Sequence, residues 1–313
     1  MQRHSLLLTV PRELRWVDEA LPPPGPGEVL VATRTGAISL GTELPHFRGD
    51  SRGSRPDTYP AHVTGYENVG IVQACGAGVD QLRPGDRVVC TYGHRTHAVI
   101  AAHKAVPILA NLGDDLAILN ILSGDVATGI ARLGTPPPAS VLVTGAGTIG
   151  LLAVFVLKAL GVAEVDVVEP EAARRDLALA LGARRALAPD EVGPPAERYD
   201  AGVECSSRAA ACTLLQQQLR HGGRIVVVAD GNLEPLVLDS AFHERELTIC
   251  GTSDCPDYHA HARWYFAHVV PYAATLHRLF DLHIAVDDLP ATFARLADGA
   301  AHAIKVLVHY DER

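Results

Sequence analysis

The chain has 313 residues, 48% of them hydrophobic, which is enough for two domains with substantial cores. Its formal net charge of −9 and the lack of any Lys/Arg block argue against nucleic acid as a partner. The apolar run 141–162 has the length of a membrane span, but it contains glycines and Lys158, so we expect a buried strand and helix and no membrane partner. Six cysteines without a C-x-x-C pair indicate free thiols and a cytoplasmic protein.

Short apolar runs separated by turn signals fill the first 120 residues and predict a mainly β domain. The predicted strands are 28–33, 70–74, 87–90, 92–100 and 106–109. A Pro-Gly turn at 83–86 separates two of them. From 117 to 133 the apolar spacing becomes helical, and three prolines at 136–138 follow it.

The middle of the chain alternates predicted strands with predicted helices. The strands are 140–144, 165–168, 200–204, 224–229 and 248–251, and the helices are 151–160, 171–181 and 209–219. Gly182 is placed to end the second helix in a left-handed conformation. This alternation predicts a parallel, doubly wound sheet with right-handed crossovers. The tail predicts helices near 264–280 and 289–298 and a last strand at 304–308.

A glycine fingerprint, G-x-G-x-x-G, follows the first strand of this alternating region. Gly145 would allow the tight turn, Gly147 would let the backbone approach a pyrophosphate, and Gly150 would let the helix pack closely on the strand. The helix begins in this motif, so the free N–H groups around Thr148 and Ile149 would hold phosphates at its positive end. The pattern therefore predicts a dinucleotide-binding site.

Glu169 follows the second strand of the region, about 20 residues after the last glycine of the fingerprint. A carboxylate there accepts hydrogen bonds from the adenosine ribose and repels a 2′-phosphate, which favours NAD as the cofactor. Arg174 and Arg175 follow closely and leave NADP open as the alternative, because a guanidinium can embrace a phosphate. Arg174 can also stack on adenine or simply belong to the solvated helix face.

Five motifs in chain order resemble those of the medium-chain dehydrogenase/reductase superfamily. They are Gly65-Tyr66-Glu67-Asn68-Val69-Gly70, Arg83-Pro84-Gly85-Asp86-Arg87-Val88, Gly145 to Gly150, Gly222-Gly223-Arg224 and Ile304-Lys305-Val306. The resemblance covers nearly the whole chain. It implies an α/β protein with a GroES-like, mainly β catalytic domain (1–120), a Rossmann domain with a doubly wound parallel sheet for the nucleotide (121–252) and a return to the catalytic domain (253–313). It also implies a homodimer.

The resemblance further indicates a branch that lacks zinc and includes bacteriochlorophyllide dehydrogenases, on the basis of segments 38–43 and 65–67. Zinc-dependent members hold the metal with a Cys, a His and a third Cys or carboxylate. The matching positions here are Ser39, Tyr66 and Gly124, which do not supply the thiolate, imidazole or carboxylate ligands that zinc requires. The closest histidine pairs, 94/97 and 259/261, have no sulfur or carboxylate at a metal spacing, so we expect no bound metal.

Without a Lewis acid, hydrogen-bond donors must stabilise the developing alkoxide of a hydride transfer. Tyr66, Ser39 and Thr42 are the candidate donors, while Glu43 is a candidate base or a group that orients a donor. The alternative for Tyr66 is a core aromatic side chain that fills the space of the missing metal.

Two further acids have both a catalytic and a structural interpretation. Glu67 is a candidate catalytic acid or base, but the resemblance implies a pair between it and Lys305, which would also link the two domains and reach the pyrophosphate. Asp125 is a second candidate for catalysis, and its alternative role is to cap a helix that begins near residue 126.

The remaining candidates concern substrate and nicotinamide. His94 and His97 lie in a segment that borders the substrate pocket in relatives, so each is a candidate substrate contact, with an exposed, solvated histidine as the alternative. Thr128 matches a family position whose hydroxyl lies near the nicotinamide. Histidines 259, 261 and 268 have helical spacing and are expected to be packing or surface residues.

Together these features predict a zinc-independent NAD(P)-dependent oxidoreductase that moves hydride between the nicotinamide and a secondary alcohol or ketone. The acids around the predicted site suit a small polar substrate, such as a sugar or an aminocyclitol. One alternative is a reductase of activated C=C bonds, as in zinc-free quinone and enoyl reductases. Another is a protein that binds NAD(H) without turnover.

Overall fold

The computed structural model describes residues 1–50, 58–62, 64–229 and 234–310. It divides into two compact units. The first unit contains residues 1–121 and 276–313, and the second contains residues 122–275. The two units are described separately below.

The described residues form fifteen strands and ten α-helices, with several short 3₁₀ turns. The strands are β1 (Gln2–Val10), β2 (Glu13–Ala20), β3 (Glu28–Ile38), β4 (Glu67–Cys75), β5 (Arg87–Cys90), β6 (His97–Ala101), β7 (Val106–Pro107), β8 (Ser140–Thr144), β9 (Glu164–Val168), β10 (Arg185–Leu187), β11 (Tyr199–Glu204), β12 (Leu219–Val227), β13 (Thr248–Gly251), β14 (Phe280–Ala285) and β15 (Lys305–His309). The helices are α1 (Leu40–Arg48), α2 (Asp114–Ile118), α3 (Asn120–Ala131), α4 (Thr148–Ala159), α5 (Ala172–Ala180), α6 (Ala209–Gln218), α7 (Ser240–Glu244), α8 (Tyr258–His268), α9 (Ala273–Leu276) and α10 (Leu289–Ala297).

The first unit is built on a seven-stranded sheet in the order β14-β15-β3-β4-β5-β7, in which β6 also pairs with β3. The long strand β3 is the central strand of this sheet, because it pairs antiparallel with β4, β6 and β15. One apolar cluster joins this sheet to α1 and α10 and includes Phe47, Phe293 and Val306. The predicted mainly β domain is confirmed, although the sequence interpretation missed α1 and the pair β1–β2.

The second unit is built on a six-stranded parallel sheet in the order β10-β9-β8-β11-β12-β13. This is the order of a doubly wound dinucleotide-binding fold, so the predicted fold class is confirmed. Helix α4 is buried through almost its whole length, since residues from Gly150 to Leu157 are all buried. A helix that is apolar on every side belongs inside a core, which explains why 141–162 resembles a membrane span. Among the described residues, no helix has both the length and the apolar character to cross a bilayer.

Several boundaries differ from the sequence prediction. Strand β10 was missed because it has only three residues and no run of β-branched side chains. The helix expected at 264–280 is α8, which ends at His268 just before Pro271, and Phe280 begins a strand instead. The expected helix at 117–133 is two helices, α2 and α3.

The expected start of the return segment, residue 253, also differs from the observed division. The first unit resumes at Leu276, and α8 belongs to the second unit. The reason is aromatic packing, because Phe155 of α4 contacts Trp264 and Tyr265 at ring distances of 6.0 and 5.7 Å. Gly182 ends α5 at φ +99°, as predicted.

A buried ionic network ties three strands of the parallel sheet together. Asp166 of β9 is fully buried and accepts hydrogen bonds from Arg184 (2.7 Å), Arg185 (2.6 Å) and the Tyr199 hydroxyl (2.7 Å). Burial by itself raises the pKa of Asp166, but these three donors outweigh it and lower the pKa to about 2. The carboxylate therefore stays charged and ties β9 to its neighbour β10 and, across β8, to β11.

Asp166→Asn should lower the free energy of unfolding at pH 7 by about 1–3 kcal/mol, because hydrogen bonds to a charged group are lost. The native pKa lies below the unfolded value of about 3.9, so the stabilisation is complete above pH 4 and is lost as the pH falls towards 2. Urea unfolding of both proteins between pH 3 and 7 measures this. A difference that stays constant down to pH 3 would contradict the assignment.

Candidate functional site

The fingerprint glycines shape the loop between β8 and α4. Gly145 has φ +86°, and a Cβ there would lie 3.0 Å from the carbonyl oxygen of Cys205. A Cβ on Gly150 would lie 1.9 Å from the carbonyl oxygen of Gly145, so only glycine allows α4 to pack this closely. Gly147 differs from both, because a Cβ there would meet nothing within 4 Å. Its backbone faces open space at the start of α4, where Thr148 and Ile149 form the first turn.

A cavity of about 470 Å³ opens beside Gly147. Its walls come from the segments that follow β8, β9 and β11, and from the first turns of α5 and α6. Ligands of doubly wound sheets bind at such carboxyl ends, where the strand order reverses between β8 and β11. The lining residues are Thr144, Gly145, Gly147, Val168, Glu169, Pro170, Glu171, Arg174, Pro189, Cys205, Ser206, Arg208, Ala210, Ala211 and Leu214.

Glu169 is buried and connects β9 to the glycine loop. Its Oε2 accepts the N–H of Ala146 at 2.6 Å, and its Oε1 accepts the N–H of Glu171 at 2.9 Å. Each carboxylate oxygen can accept two hydrogen bonds, so one further acceptor position remains on each. Glu169 therefore fixes the loop and can still accept hydroxyl groups of a ligand.

The two arginines after Glu169 have different roles. Arg174 lines the cavity, and its Nε lies 3.3 Å from Glu171 Oε2. Arg175 instead donates to the carbonyl oxygens of Glu169 (2.8 Å) and Pro170 (2.6 Å) and holds the chain behind the cavity. Arg174, rather than Arg175, is thus the basic side chain available to a ligand.

In the first unit the predicted hydroxyl donors come together at the start of α1. The Tyr66 hydroxyl donates to Ser39 Oγ at 2.6 Å, and Thr42 also interacts with the phenol. Burial raises the pKa of Tyr66, and the nearby charge of Glu67 raises it further. The phenol therefore stays protonated at neutral pH and acts as a hydrogen-bond donor.

Glu43 holds this pair in place. Its fully buried carboxylate accepts the N–H groups of Ser39 and Gly65, both at 2.7 Å. Gly65 has φ +77°, and a Cβ there would lie 2.6 Å from the backbone nitrogen of His94, so glycine is required beside Tyr66. His94 is also fully buried, with Nε2 3.2 Å from Glu43 Oε2 and Nδ1 3.3 Å from the Tyr310 hydroxyl.

The Glu67–Lys305 pair expected from the resemblance is present. Lys305 Nζ donates to Glu67 Oε1 at 2.7 Å, and both side chains are buried. Burial raises the pKa of Glu67, while the adjacent Lys305 opposes this shift. Both residues belong to the seven-stranded sheet of the first unit, so the pair joins β4 to β15 and does not link the two units as expected.

Asp125 and Thr128 lie in α3 of the second unit. Asp125 is inside this helix, which begins at Asn120, so the predicted role as its N-cap is wrong. Its Oδ1 accepts the N–H of Cys255 at 2.9 Å and the Tyr258 hydroxyl at 2.8 Å. The Thr128 hydroxyl donates to the carbonyl oxygen of Gly124 at 2.9 Å.

His97 is not part of the Ser39–Tyr66 cluster. Its ring contacts the Thr96 hydroxyl at 3.2 Å, and burial and nearby His4 lower its pKa. His261 proves to be half-buried, with Nε2 2.6 Å from the Ser123 hydroxyl, and burial lowers its pKa to about 4. This packing role agrees with the interpretation of its helical spacing.

Sequence reasoning missed Cys205 and Ser206, which line the cavity after β11. The rule that parallel strands present their carboxyl ends to the ligand would have found them. It also missed Tyr310, whose contact with His94 joins residues far apart in the chain. In the described ranges, no three or more His, Cys, Asp or Glu side chains are arranged to hold a metal ion.

Comparison with known proteins supports the resemblance found in the sequence. Residues 25–114 match the alcohol dehydrogenase GroES-like domain, and residues 148–263 match the zinc-binding dehydrogenase family. L-threonine 3-dehydrogenase of Vibrio vulnificus is 30% identical over 73% of this chain and 77% of the relative. The chain belongs to the medium-chain, zinc-type alcohol dehydrogenase-like superfamily.

Two further proteins match along nearly the full length of the chain. L-threonine 3-dehydrogenase of Deinococcus deserti is 26% identical over 95% of this chain and 96% of its own. A structure described as a zinc-binding dehydrogenase of Sinorhizobium meliloti, bound to NADP, superposes with a TM-score of 0.84. It is 20% identical and covers 99% of this chain and 100% of its own, which shows a shared fold.

The close approach at Gly150 and the open space at Gly147 give a matched pair of variants. Gly150→Ala should lower the free energy of unfolding by about 1–3 kcal/mol, because the added methyl group overpacks the loop. Gly147→Ala should change it by less than about 0.5 kcal/mol, because its φ of −72° suits alanine and the space is empty. Urea unfolding compares them, and equal losses in the two variants would refute the loop geometry.

Proposed function

We propose that the protein is an NAD(P)-dependent oxidoreductase that moves hydride between the nicotinamide and a secondary alcohol or ketone without a catalytic zinc. The proposal depends mainly on one observation. The backbone of Gly147, at the start of α4, lines the cavity and has no side-chain atom or neighbouring residue in front of it. Such a helix start offers free N–H groups and a positive dipole end to a pyrophosphate. The NADP found in the Sinorhizobium meliloti structure supports the same class of ligand.

NAD is the expected cofactor. Glu169 and Glu171 both line the cavity, and Glu169 keeps free acceptor positions for ribose hydroxyls. Two carboxylates repel a 2′-phosphate, whereas both arginines that line the cavity are already paired, Arg174 with Glu171 and Arg208 with Glu234. The carboxylates of Glu169 and Glu171 therefore favour NAD, whose adenosine ribose carries no 2′-phosphate.

Gly147→Arg should abolish NADH binding, because the long side chain fills the space in front of the α4 start. Leu160→Arg is the control, since it adds the same charge at the exposed far end of the helix, about 18 Å away. Fluorescence titration with NADH and then NADPH measures both affinities. Unchanged NADH affinity in Gly147→Arg would refute the cofactor site, and tighter binding of NADPH than NADH by the wild type would refute the NAD preference.

The donor set in the first unit does not fit a zinc ion. Zinc requires thiolate, imidazole or carboxylate ligands, but Ser39 and Tyr66 present a hydroxyl and a protonated phenol that bond to each other. The neighbouring carboxylates are already engaged, Glu43 by two backbone N–H groups and Glu67 by Lys305. These contacts support a reaction in which hydrogen bonds replace the Lewis acid.

In the proposed oxidation a bound nicotinamide would take the hydride of the alcohol carbon, and the hydroxyl proton would pass to solvent; reduction of the ketone reverses both transfers. The chain's own residues orient the oxygen of the substrate. Because Tyr66 donates to Ser39 Oγ, the Ser39 hydroxyl hydrogen is free to point at a substrate oxygen. A donor that itself accepts a hydrogen bond is polarised and donates more strongly. Glu43 fixes the backbone on both sides of this pair, so little reorganisation is needed as charge develops.

A polar, amine-bearing or polyhydroxylated secondary alcohol is the proposed substrate class. A buried carboxylate, Glu43, lies next to the hydroxyl pair and makes this region polar, whereas Lys305 compensates the charge of Glu67. The relatives named for L-threonine support this class, because threonine is itself a secondary alcohol that carries an amine.

Tyr66→Phe should lower kcat by about 10²-fold, the loss expected for one oxyanion donor, because the Ser39 hydroxyl is then no longer held and polarised towards the substrate oxygen. Tyr92→Phe is the matched control, because its hydroxyl is buried in the same unit but bonds to Thr33 instead. The assay uses NAD with a panel of amino alcohols and polyols, and the reverse reaction uses NADH with ketones and enones.

Near-normal turnover in Tyr66→Phe would make the phenol a packing group. Stoichiometric zinc in the active protein, or inactivation by a chelator, would refute the zinc-free mechanism. Turnover of enones alone would favour reduction of C=C bonds, and NADH binding without turnover of any compound would indicate a binding protein.

A further inference from the structure

A second cavity, of about 460 Å³, lies within the first unit and shares no residue with the cofactor cavity. Its floor is one face of the seven-stranded sheet. Thr35 pairs with His309 across β3 and β15, and Leu307 and His309 face the same side because they are two residues apart. His283 pairs with Leu307 from β14 and completes the floor.

Arg34 reaches this cavity because β3 is irregular. Thr33 and Thr35 pair with consecutive residues of β4, so Arg34 is the extra residue of a bulge. A bulge redirects a side chain, and Arg34 and Thr35 accordingly both contact Asp114, at 2.9 and 3.2 Å. In a regular strand these two neighbours would point to opposite faces.

Asp114 holds two guanidinium groups at the wall of the cavity. It pairs with Arg34 and with Arg87, which also donates to the carbonyl oxygen of Leu112 at 2.8 Å. Both carboxylate oxygens are used in these contacts, so Asp114 orients the guanidiniums. The other acid of the cavity, Asp115, is paired with His277.

The two arginines keep nitrogen donors that Asp114 does not use. Arg87 Nε is buried and finds no hydrogen-bond partner among the described residues. Arg34 uses only its Nε in the ion pair with Asp114 and is about half exposed. His283 Nδ1 lies 3.2 Å from His309 Nε2, and His283 Nε2 lies 3.1 Å from the carbonyl oxygen of Phe280. This carbonyl favours a proton on His283 Nε2, so His283 Nδ1 accepts the Nε2–H of His309, and both N–H groups of the neutral pair are used.

We propose that this cavity binds a small oxyanion, the phosphate or carboxylate group of a metabolite, through Arg34 and Arg87. Guanidinium groups fixed by an acid present forks of N–H donors that match such oxygens. The cavity volume is in the range of small-molecule sites. A metal ion is disfavoured here, because two guanidiniums would repel it.

Calorimetric titration of the whole protein with inorganic phosphate, and separately with citrate, tests the proposal. Each titration is done with and without saturating NADH, because the glycine loop of the second unit can also bind phosphate. If the anion binds at the proposed site, its binding remains when NADH is saturating. It is also observed when the protein does not bind NADH. Failure of the proposed cofactor site therefore remains distinguishable from failure of this one.

Arg34→Ala should weaken binding of the preferred anion by about tenfold or more, since charge-assisted hydrogen bonds are lost. His283→Ala, at an exposed position that should not disturb folding, should change the affinity by less than about twofold, because both ring nitrogens of His283 already bond within the protein. Arg83→Ala is the matched control, because it removes an exposed arginine of the same unit outside the cavity.

Binding of phosphate alone would identify a phosphorylated ligand, and binding of citrate alone would identify a carboxylate ligand. Two results would overturn the proposal. The first is no binding of either anion to the wild-type protein. The second is equal affinity in the wild type and Arg34→Ala, which would show adventitious anion binding only.

Discussion

Both candidate sites depend on a buried carboxylate that accepts two backbone N–H groups. Glu43 bonds to the N–H groups of Ser39 and Gly65 in the first unit, and Glu169 bonds to those of Ala146 and Glu171 in the second. A buried charge is tolerated only when hydrogen bonds compensate for its lost hydration. Each carboxylate therefore fixes its loop, because any other loop conformation would leave the charge without partners.

The chemistry proposed for the chain follows from this rigidity. A zinc ion supplies positive charge that needs little orientation, whereas hydroxyl donors must be aimed before the reaction begins. The Tyr66–Ser39 pair is aimed because Glu43 fixes the backbone and Gly65 allows the tight approach to His94. Burial keeps the phenol protonated by raising its pKa, so the same environment that positions the donor also preserves its proton.

Regular parts of the fold were predictable because their signals are local. The parallel strands carry continuous apolar runs, which predict buried strands. The glycine fingerprint predicts the tight turn at Gly145 and the close packing at Gly150, both of which require glycine. The short strand β10 and the bulge at Arg34 were not predictable. Neither has a periodic pattern, and both exist because neighbouring strands offer pairing partners.

The sequence by itself determined the doubly wound unit, the mainly β unit and the residue types at the candidate sites. The reason is that apolar periodicity and glycine spacing are local patterns, which can be read from neighbouring residues. Only the tertiary structure decided which of those residues meet. It brought Tyr310 to His94, and it placed Asp125 inside a helix rather than at its cap. It also placed Lys305, which the resemblance had paired with Glu67, in the same sheet as that residue. Such contacts join residues more than 200 positions apart, and they are set by strand order and burial, which no local pattern encodes.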